Sequence, residues 1–280
     1  MPTTRTPLRY PGGKTKIYPM VSDLLTKNKL IGCTYAEAFC GGAGLAIKLL
    51  LENKVSKIII NDLDPAIYSV WDLIVNNPSS LVSFIETVEI NMDTWEHYKE
   101  VYESSHTPSQ ELGVAAFFLN RTNRSGIIDG GVIGGKEQTG KYKIDARFNR
   151  SDLIKKIKQI SAQSNNISVT NLDAVDFMKY LNSLNLPNIF LYLDPPYVQK
   201  GPGLYKSSFD KKKHIELSNA VKSYQGSYMI TYDVDKLVDE LYKPSKNWPI
   251  YSGNLEIGYS ASLTRKIATE RLVLSPNLQH

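Results

Sequence analysis

At 280 residues, with 42% hydrophobic residues and a formal charge of +5, the chain is long enough for one large globular domain or for a domain carrying a substantial insertion. It holds no run of eighteen apolar residues, and its N-terminus, MPTTRTPLRYPGGK, lacks the apolar stretch of a secretory signal, so no membrane span is expected and a cytoplasmic location is. Two cysteines, Cys33 and Cys40, are too few for a disulfide framework, and His97, His106, His214 and His280 show no metal-ligand spacing, so no metal centre is expected.

The first seventy residues read as alternating helix and strand. Lys14 to Asn28 suits a helix, Thr34 to Phe39 a short strand, Ala43 to Glu52 a second helix, and Lys57 to Asn61 (KIIIN) a buried β-branched strand. That alternation predicts a parallel sheet. From Leu73 to Gln163 the texture changes to helices and loops. Pro78, with Ser79 and Ser80 as caps, precedes the apolar set Leu81, Phe84, Ile85 and Val88; Glu111 to Asn120 is apolar enough for a buried helix, and the stretch between them reads as polar linker. Six glycines between positions 126 and 140 are too many for a packed element and predict a mobile loop. Ser151 is the expected cap of a helix that turns Leu153, Ile154, Ile157 and Ile160 inward and Lys155, Lys156 and Lys158 outward.

After Asn165 the alternation resumes, with strands at Ile167 to Thr170, Asn188 to Leu193 and Ser227 to Tyr232 and helices at Ala174 to Leu184 and Lys211 to Tyr224. Ile267 to Leu274 is expected as a last strand at an antiparallel edge. One sheet is thus interrupted: residues 1–72 and 164–280 form a discontinuous domain, and 73–163 an insertion. The charge is uneven, because residues 121–158 hold ten Lys and Arg against four Asp and Glu and leave the remainder near neutral. A local basic surface of that kind suits a phosphate backbone.

Four stretches carry chemistry. In LYLDPPY, residues 191–197, a buried strand ends directly in Asp194-Pro195-Pro196-Tyr197. Consecutive prolines fix two torsions and remove two N–H donors, so the carbonyls seek partners outside the local chain. The position matters too, because open α/β sheets bind ligands beyond the carboxyl ends of their strands. The Asp194 carboxylate and the Pro195 carbonyl are two acceptors that can each take one hydrogen of an amine, which frees a delocalised lone pair, while Tyr197 offers an aromatic face. A Pro-rich turn with a capping Asp is the plainer alternative.

EAFCGGAGLA, Glu37 to Ala46, is a glycine cluster between strand and helix that permits close approach by a nucleotide-like ligand, although it is not the full dinucleotide fingerprint. About twenty residues on, NDLDP supplies Asp62 and Asp64 at a strand tip; Asp62 is the candidate for ribose hydroxyls, and Asp64 before Pro65 fits a helix cap better. In PLRYPGGKTKI, residues 7–17, Lys14 just inside a helix is placed to hold a carboxylate such as that of methionine, though Gly-Gly-Lys is also a common turn.

In this order, PLRYPGGK, EAFCGGAG, NDLDP, FFLNRTNRSG and LDPPY resemble the alpha-class adenine-specific DNA methyltransferases, the group that includes bacterial GATC methylases, over residues 7 to about 233. The resemblance implies a Rossmann-like, S-adenosyl-L-methionine-dependent catalytic sheet with an inserted, mostly helical target-recognition domain, acting on double-stranded DNA as a monomer in the setting of restriction-modification. It implies cofactor contacts from Tyr10, Lys14, Phe39, Gly41, Gly42, Gly44, Asp62, Asp173 and Asp194, and catalysis by Asp194, Pro195, Pro196 and Tyr197 on the N6 amine of a flipped-out adenine. Tyr10 stands where the best-known members carry tryptophan. Asp176 competes with Asp173, which an ordinary N-cap explains equally well. Arg121, Asn123, Arg124 and Ser125, with Lys141 and Arg147, are the implied DNA contacts, against the alternative of solvated surface charge. Tyr205 to His214 looks like the segment after the catalytic loop, with Phe209 lining the pocket and Lys211 to Lys213 touching phosphate or simply facing water. A cytosine-amine methylase, an RNA or protein methylase, and a DNA-binding protein with a degenerate catalytic fold remain as rivals.

Overall fold

Four β-branched or apolar runs of the sequence lie side by side at the centre of the protein. The computed structural model describes residues 4–198, 209–259 and 266–280. Strands β1 (Thr34–Glu37), β2 (Lys57–Asn61), β3 (Ile167–Thr170), β4 (Ile189–Leu193), β5 (Ser227–Asp233), β6 (Tyr251–Tyr259) and β7 (Lys266–Leu274) form a sheet in the order β3-β2-β1-β4-β5-β7-β6. The first five run parallel, and β7 runs antiparallel between β5 and β6. This is a Rossmann-like sheet. Chain order runs outward in one direction from β1 through β2 to β3 and in the other from β4 to β5, so the topological switch lies between β1 and β4.

Alternation along each strand divides the core into two layers. Tyr35, Ile58, Ile60, Phe190, Tyr192, Leu272 and Leu274 face one side, where they meet α1 (Tyr18–Lys27), α2 (Gly44–Leu51) and α3 (Pro65–Asn76). Ala36, Ile59, Leu191, Leu193, Ile230 and Val273 face the other, against α8 (Ala174–Ser183), α9 (Lys211–Ser223) and α10 (Lys236–Leu241). Strands buried on both faces read as continuous apolar runs, which is why KIIIN and IFLYL were legible as strands.

The segment between β2 and β3 is helical: α3, α4 (Pro78–Thr87), α5 (Met92–Ser104), α6 (Gln110–Thr122) and α7 (Arg150–Ser161). Its core is continuous with that of the first layer, running from Trp71 through Leu81, Trp95, Phe117 and Phe118 to Leu153 and Ile157. Gly113 lets α6 lie against α3, since a Cβ there would stand 2.7 Å from the Ser69 carbonyl oxygen and from Leu73 Cδ1.

Several local expectations change. The polar stretch before α6 is the helix α5, capped by Asn91 accepting from the Thr94 N–H; it buries only Trp95 and Tyr102, so its apolar stripe is too thin to stand out in sequence. Ser79 and Ser80 lie inside α4, which begins at Pro78 with the proline at its first position. Asn149, not Ser151, caps α7 by accepting from the Asp152 N–H. β7 is an inner strand, because β6 is added outside it, and α10 follows β5. The glycine-rich loop holds no long element, but it is tied by hydrogen bonds from Asn123 Nδ2 to the Ile128 carbonyl (2.8 Å) and from the Arg124 N–H to the Gly131 carbonyl (2.9 Å).

Candidate active site

A cleft of about 1760 Å³ opens at the carboxyl ends of β1, β2 and β4, where a ligand of a doubly wound sheet is expected. Tyr10, Lys14, Phe39, Gly42, Gly44, Asp62, Asp173 and residues Asp194 to Tyr197 all line it. Gly41 is not among the lining residues; its N–H and carbonyl are taken by Asp62 and Trp71.

The glycine turn is held on three sides. Its Gly41 N–H donates to Asp62 Oδ2 (2.8 Å), its Gly41 carbonyl accepts from Trp71 Nε1 (2.8 Å), and the ring of Tyr10 lies over it. Gly41 has φ +44°, and a Cβ there would stand 2.6 Å from the Tyr10 ring; one on Gly44 would stand 2.5 Å from Thr15 Oγ1. These glycines therefore make room for residues 10–15 of the same chain, a role the motif alone does not disclose. Asp62 also accepts from the Asp64 N–H (3.0 Å), and burial, then the neighbouring Asp64 charge, pushes its carboxyl up to about 7. Asp64 caps α3 through the Ala66 N–H, as its place before Pro65 predicts. Asp173 caps α8 through the Val175 N–H while lining the cleft, whereas Asp176 is exposed and paired with Lys179.

Asp194 follows β4 directly. Its Oδ1 accepts from Thr231 Oγ1 of β5 (2.8 Å), which shares a hydrogen bond with the Tyr192 hydroxyl (2.7 Å), and lies 3.2 Å from Lys14 Nζ. Burial pushes the Asp194 carboxyl up to about 6; Lys14 and Thr231 oppose that rise and Glu270 adds to it. Behind it, buried Glu37 accepts from the Tyr35 hydroxyl (3.3 Å), and burial and the Asp194 charge drive it well above the ordinary carboxylate range, favouring its protonated form.

Lys14 lines the cleft and is held there by protein oxygens. Its Nζ donates to Glu270 Oε1 (2.9 Å) and Oε2 (3.0 Å) and to the Tyr197 hydroxyl (2.6 Å), besides its contact with Asp194. The Tyr197 hydroxyl in turn donates to Glu270 Oε1 (2.5 Å). Glu270, Thr231, Glu37 and Trp71 escaped the sequence reading. The one available signal for Glu270 was its period-2 place in β7 on the face of Leu272 and Leu274.

The proposed DNA contacts divide. Asn123 is fully buried, with its Oδ1 accepting from Trp95 Nε1 (2.7 Å) and its Nδ2 donating to Ile128, so it braces the loop and cannot reach a nucleic acid. Arg121, half-buried, donates to the carbonyls of Pro7 (3.2 Å) and Arg147, and burial, with Arg9 close by, lowers its guanidinium to about 10. Arg124, Ser125, Lys141 and Arg147 are exposed, and Ser125 lines the cleft. Lys141 and Arg147 flank the ring of Tyr142, at 5.9 and 5.7 Å, and that ring is 57% exposed. Phe209 reaches the cleft edge-on to Phe39 (5.8 Å), Lys211 to Lys213 open α9, and Tyr205 to Ser208 lie outside the described residues.

Comparison with known proteins yields three kinds of likeness. A family model described as D12 class N6 adenine-specific DNA methyltransferase matches residues 10–253. The modification methylase StsI of Streptococcus sanguinis is 24% identical over 91% of this chain and 39% of its own length. The type II methyltransferase M.CviBI of Paramecium bursaria Chlorella virus NC1A is 25% identical over 84% of this chain and 85% of its own. Among solved structures, the rRNA methyltransferase aviRa from Streptomyces viridochromogenes aligns with a TM-score of 0.42 and 14% identity, over 95% of this chain and 86% of that one.

Proposed function

The chain belongs to the D12 class of N6 adenine-specific DNA methyltransferases, and from that premise we propose that it methylates the N6 amine of adenine in duplex DNA, using S-adenosyl-L-methionine as donor. One observation carries the reading: Asp194-Pro195-Pro196-Tyr197 stands at the carboxyl end of β4, at the switch point, in one cleft with Asp62, Phe39 and the glycine turn.

The cleft suits the donor's chemistry. Asp62 already takes a backbone N–H on each oxygen and keeps lone pairs for ribose hydroxyls, Phe39 and Asp173 border the end where a purine would lie, and Tyr10 and Phe39 give aromatic walls compatible with a sulfonium cation. When bound, S-adenosyl-L-methionine supplies an electrophilic methyl group. The chain's own residues prepare the nucleophile. The adenine amine is weak because its lone pair is delocalised into the ring, and the Asp194 carboxylate and Pro195 carbonyl each accept one amine hydrogen, which draws the nitrogen toward tetrahedral geometry. Tyr197, held by its hydroxyl, offers its ring face to the base. The amine is out of reach inside a duplex, so the base leaves the stack.

Residues 73–163 form the target-recognition part in this reading, with Arg124, Lys141 and Arg147 as its phosphate-facing cations and Tyr142 between the last two as a stacking surface. The protein incubated with labelled S-adenosyl-L-methionine and unmethylated genomic DNA should yield N6-methyladenine in one short sequence context, read by nucleoside mass spectrometry. Methylcytosine would move the assignment to the cytosine amine, and label appearing only on RNA or protein would overturn it.

A further inference from the structure

The catalytic motif leaves one buried acid at its centre unexplained. Glu270 is 3% exposed and sits near the start of β7, paired in register with Asp233 of β5 and Leu255 of β6. Because β7 runs antiparallel to β5, its beginning lies at the carboxyl ends of the parallel strands, and the side chain of Glu270 enters the cleft between Lys14 and Tyr197. It shares its face with Leu272 and Leu274, so a carboxylate there needs a local reason. Burying a charge is costly unless it is paired and hydrogen-bonded, and Glu270 meets that condition through three short contacts: both oxygens on Lys14 Nζ and Oε1 on the Tyr197 hydroxyl.

We propose that Glu270 is a positioning residue of the active centre, which draws the Lys14 ammonium and the Tyr197 hydroxyl onto itself so that the Asp194 carboxylate remains a strong acceptor for the substrate amine. The proposal rests on the methyl-transfer reading above. Lys14 lies closer to both oxygens of Glu270, at 2.9 and 3.0 Å, than to Asp194, at 3.2 Å. A carboxylate fully engaged by an ammonium is a weaker base, and a weaker base pulls less on the amine hydrogen it must accept. Glu270 therefore acts on Asp194 through Lys14, and on the base through the Tyr197 ring that its hydroxyl contact fixes.

Among the described residues, the charged and titratable groups around Asp194 are Lys14 from the first helical turn, Tyr35 and Glu37 of β1, Tyr192 of β4, Tyr197 of the motif itself, Tyr232 and Asp233 of β5 and Glu270 of β7. Of these, Glu270 raises the affinity of Asp194 for a proton and Lys14 lowers it. That opposition gives a test that a purely structural ion pair would fail. In single-turnover methyl transfer between pH 5 and 9, Glu270→Gln is expected to lower the plateau rate roughly ten- to a hundredfold. Its acid limb should move to lower pH by about one unit, because Lys14 then faces Asp194 alone. Removing both charges, in Lys14→Met/Glu270→Gln, should move the acid limb the other way, above that of the wild type. Binding of S-adenosyl-L-methionine by Glu270→Gln, followed by calorimetry, should stay within about threefold of the wild type.

Wild-type rate and wild-type acid limb in folded Glu270→Gln would overturn the proposal, as would an acid limb in the double variant that coincides with the wild type. The double variant keeps the question decidable if the single one does not fold, since it removes the buried ammonium together with its Glu270 partner and leaves Asp194, held by Thr231 at the cleft, able to take up a proton. A wild-type protein that binds the donor but never methylates DNA overturns the methyl-transfer reading instead, and the two failures are thereby told apart.

Discussion

At the cleft, Lys14, Asp194 and Glu270 are withdrawn from water within reach of one another and of a surface that a ligand can touch. In the helical part, Arg121 and Asn123 are withdrawn too, but their contacts end on the backbone carbonyls of Pro7, Arg147 and Ile128 and on the indole of Trp95. The comparison separates two uses of a buried polar group. Burial beside a cleft raises carboxyl groups: Asp194 stands at about 6, with Lys14 opposing the rise and Glu270 adding to it, and Asp62 stands at about 7, with the like charge of Asp64 adding to it. Amides and guanidinium groups packed under a loop replace the secondary structure that glycine-rich sequence cannot form, while Arg124, Lys141 and Arg147 remain exposed and are the proposed phosphate contacts.

The sharpest way to break this division is Asp194→Ala. It should cost about 10³-fold in single-turnover methyl transfer, on the scale of losing a transition-state contact, while DNA affinity in a gel-shift titration changes by less than about threefold. Normal turnover would remove the carboxylate from the chemistry. Next in size is Asn123→Ala, which strands the Trp95 N–H and the Ile128 carbonyl; it should lower stability by about 1–3 kcal/mol. The melting temperature should then fall by several degrees, at about 2–4 °C per kcal/mol for a chain of this class. DNA affinity per folded molecule should hold, and a selective loss of DNA binding with an unchanged melt would return Asn123 to the recognition surface. The smallest effect belongs to Arg124→Ala. Its stability should stay within about 0.5 kcal/mol of the wild type. The slope of log affinity against log salt should fall by about one, and an unaltered slope would mean that this guanidinium touches no phosphate.

Acidity supplies a further check on the cleft. Asp194 must be ionised to accept an amine hydrogen, and its carboxyl stands at about 6, so the methyl-transfer rate should rise through pH 6 and level off above it. A rate flat down to pH 4.5 would require an acceptor in the ordinary carboxylate range. The sign for stability is opposite: a carboxyl raised on folding contributes stability below its unfolded value and loses it as pH rises through the folded one.

Much of this molecule was legible from its residues alone. The parallel strands, the helices between them and the convergence of Asp62, Asp173 and Asp194 on one end of the sheet follow from period-2 and period-3.6 burial and from where acids sit at strand tips. These are local regularities, written over a handful of consecutive residues. Helix α5 and strand β6 were not legible, because the first buries only two large side chains and the second is an edge whose pairing with β7 is decided elsewhere in the chain. Only the tertiary structure could decide the partner of each charge. Lys14 and Glu270 stand 256 positions apart and meet at 2.9 Å; Asn120 pairs with both the N–H and the carbonyl of Arg9 across 111 positions; and the glycines of the turn prove to accommodate Tyr10 and Thr15. Residue type and spacing state which groups need partners. Which partner each receives depends on contacts between distant segments, and no local pattern encodes those.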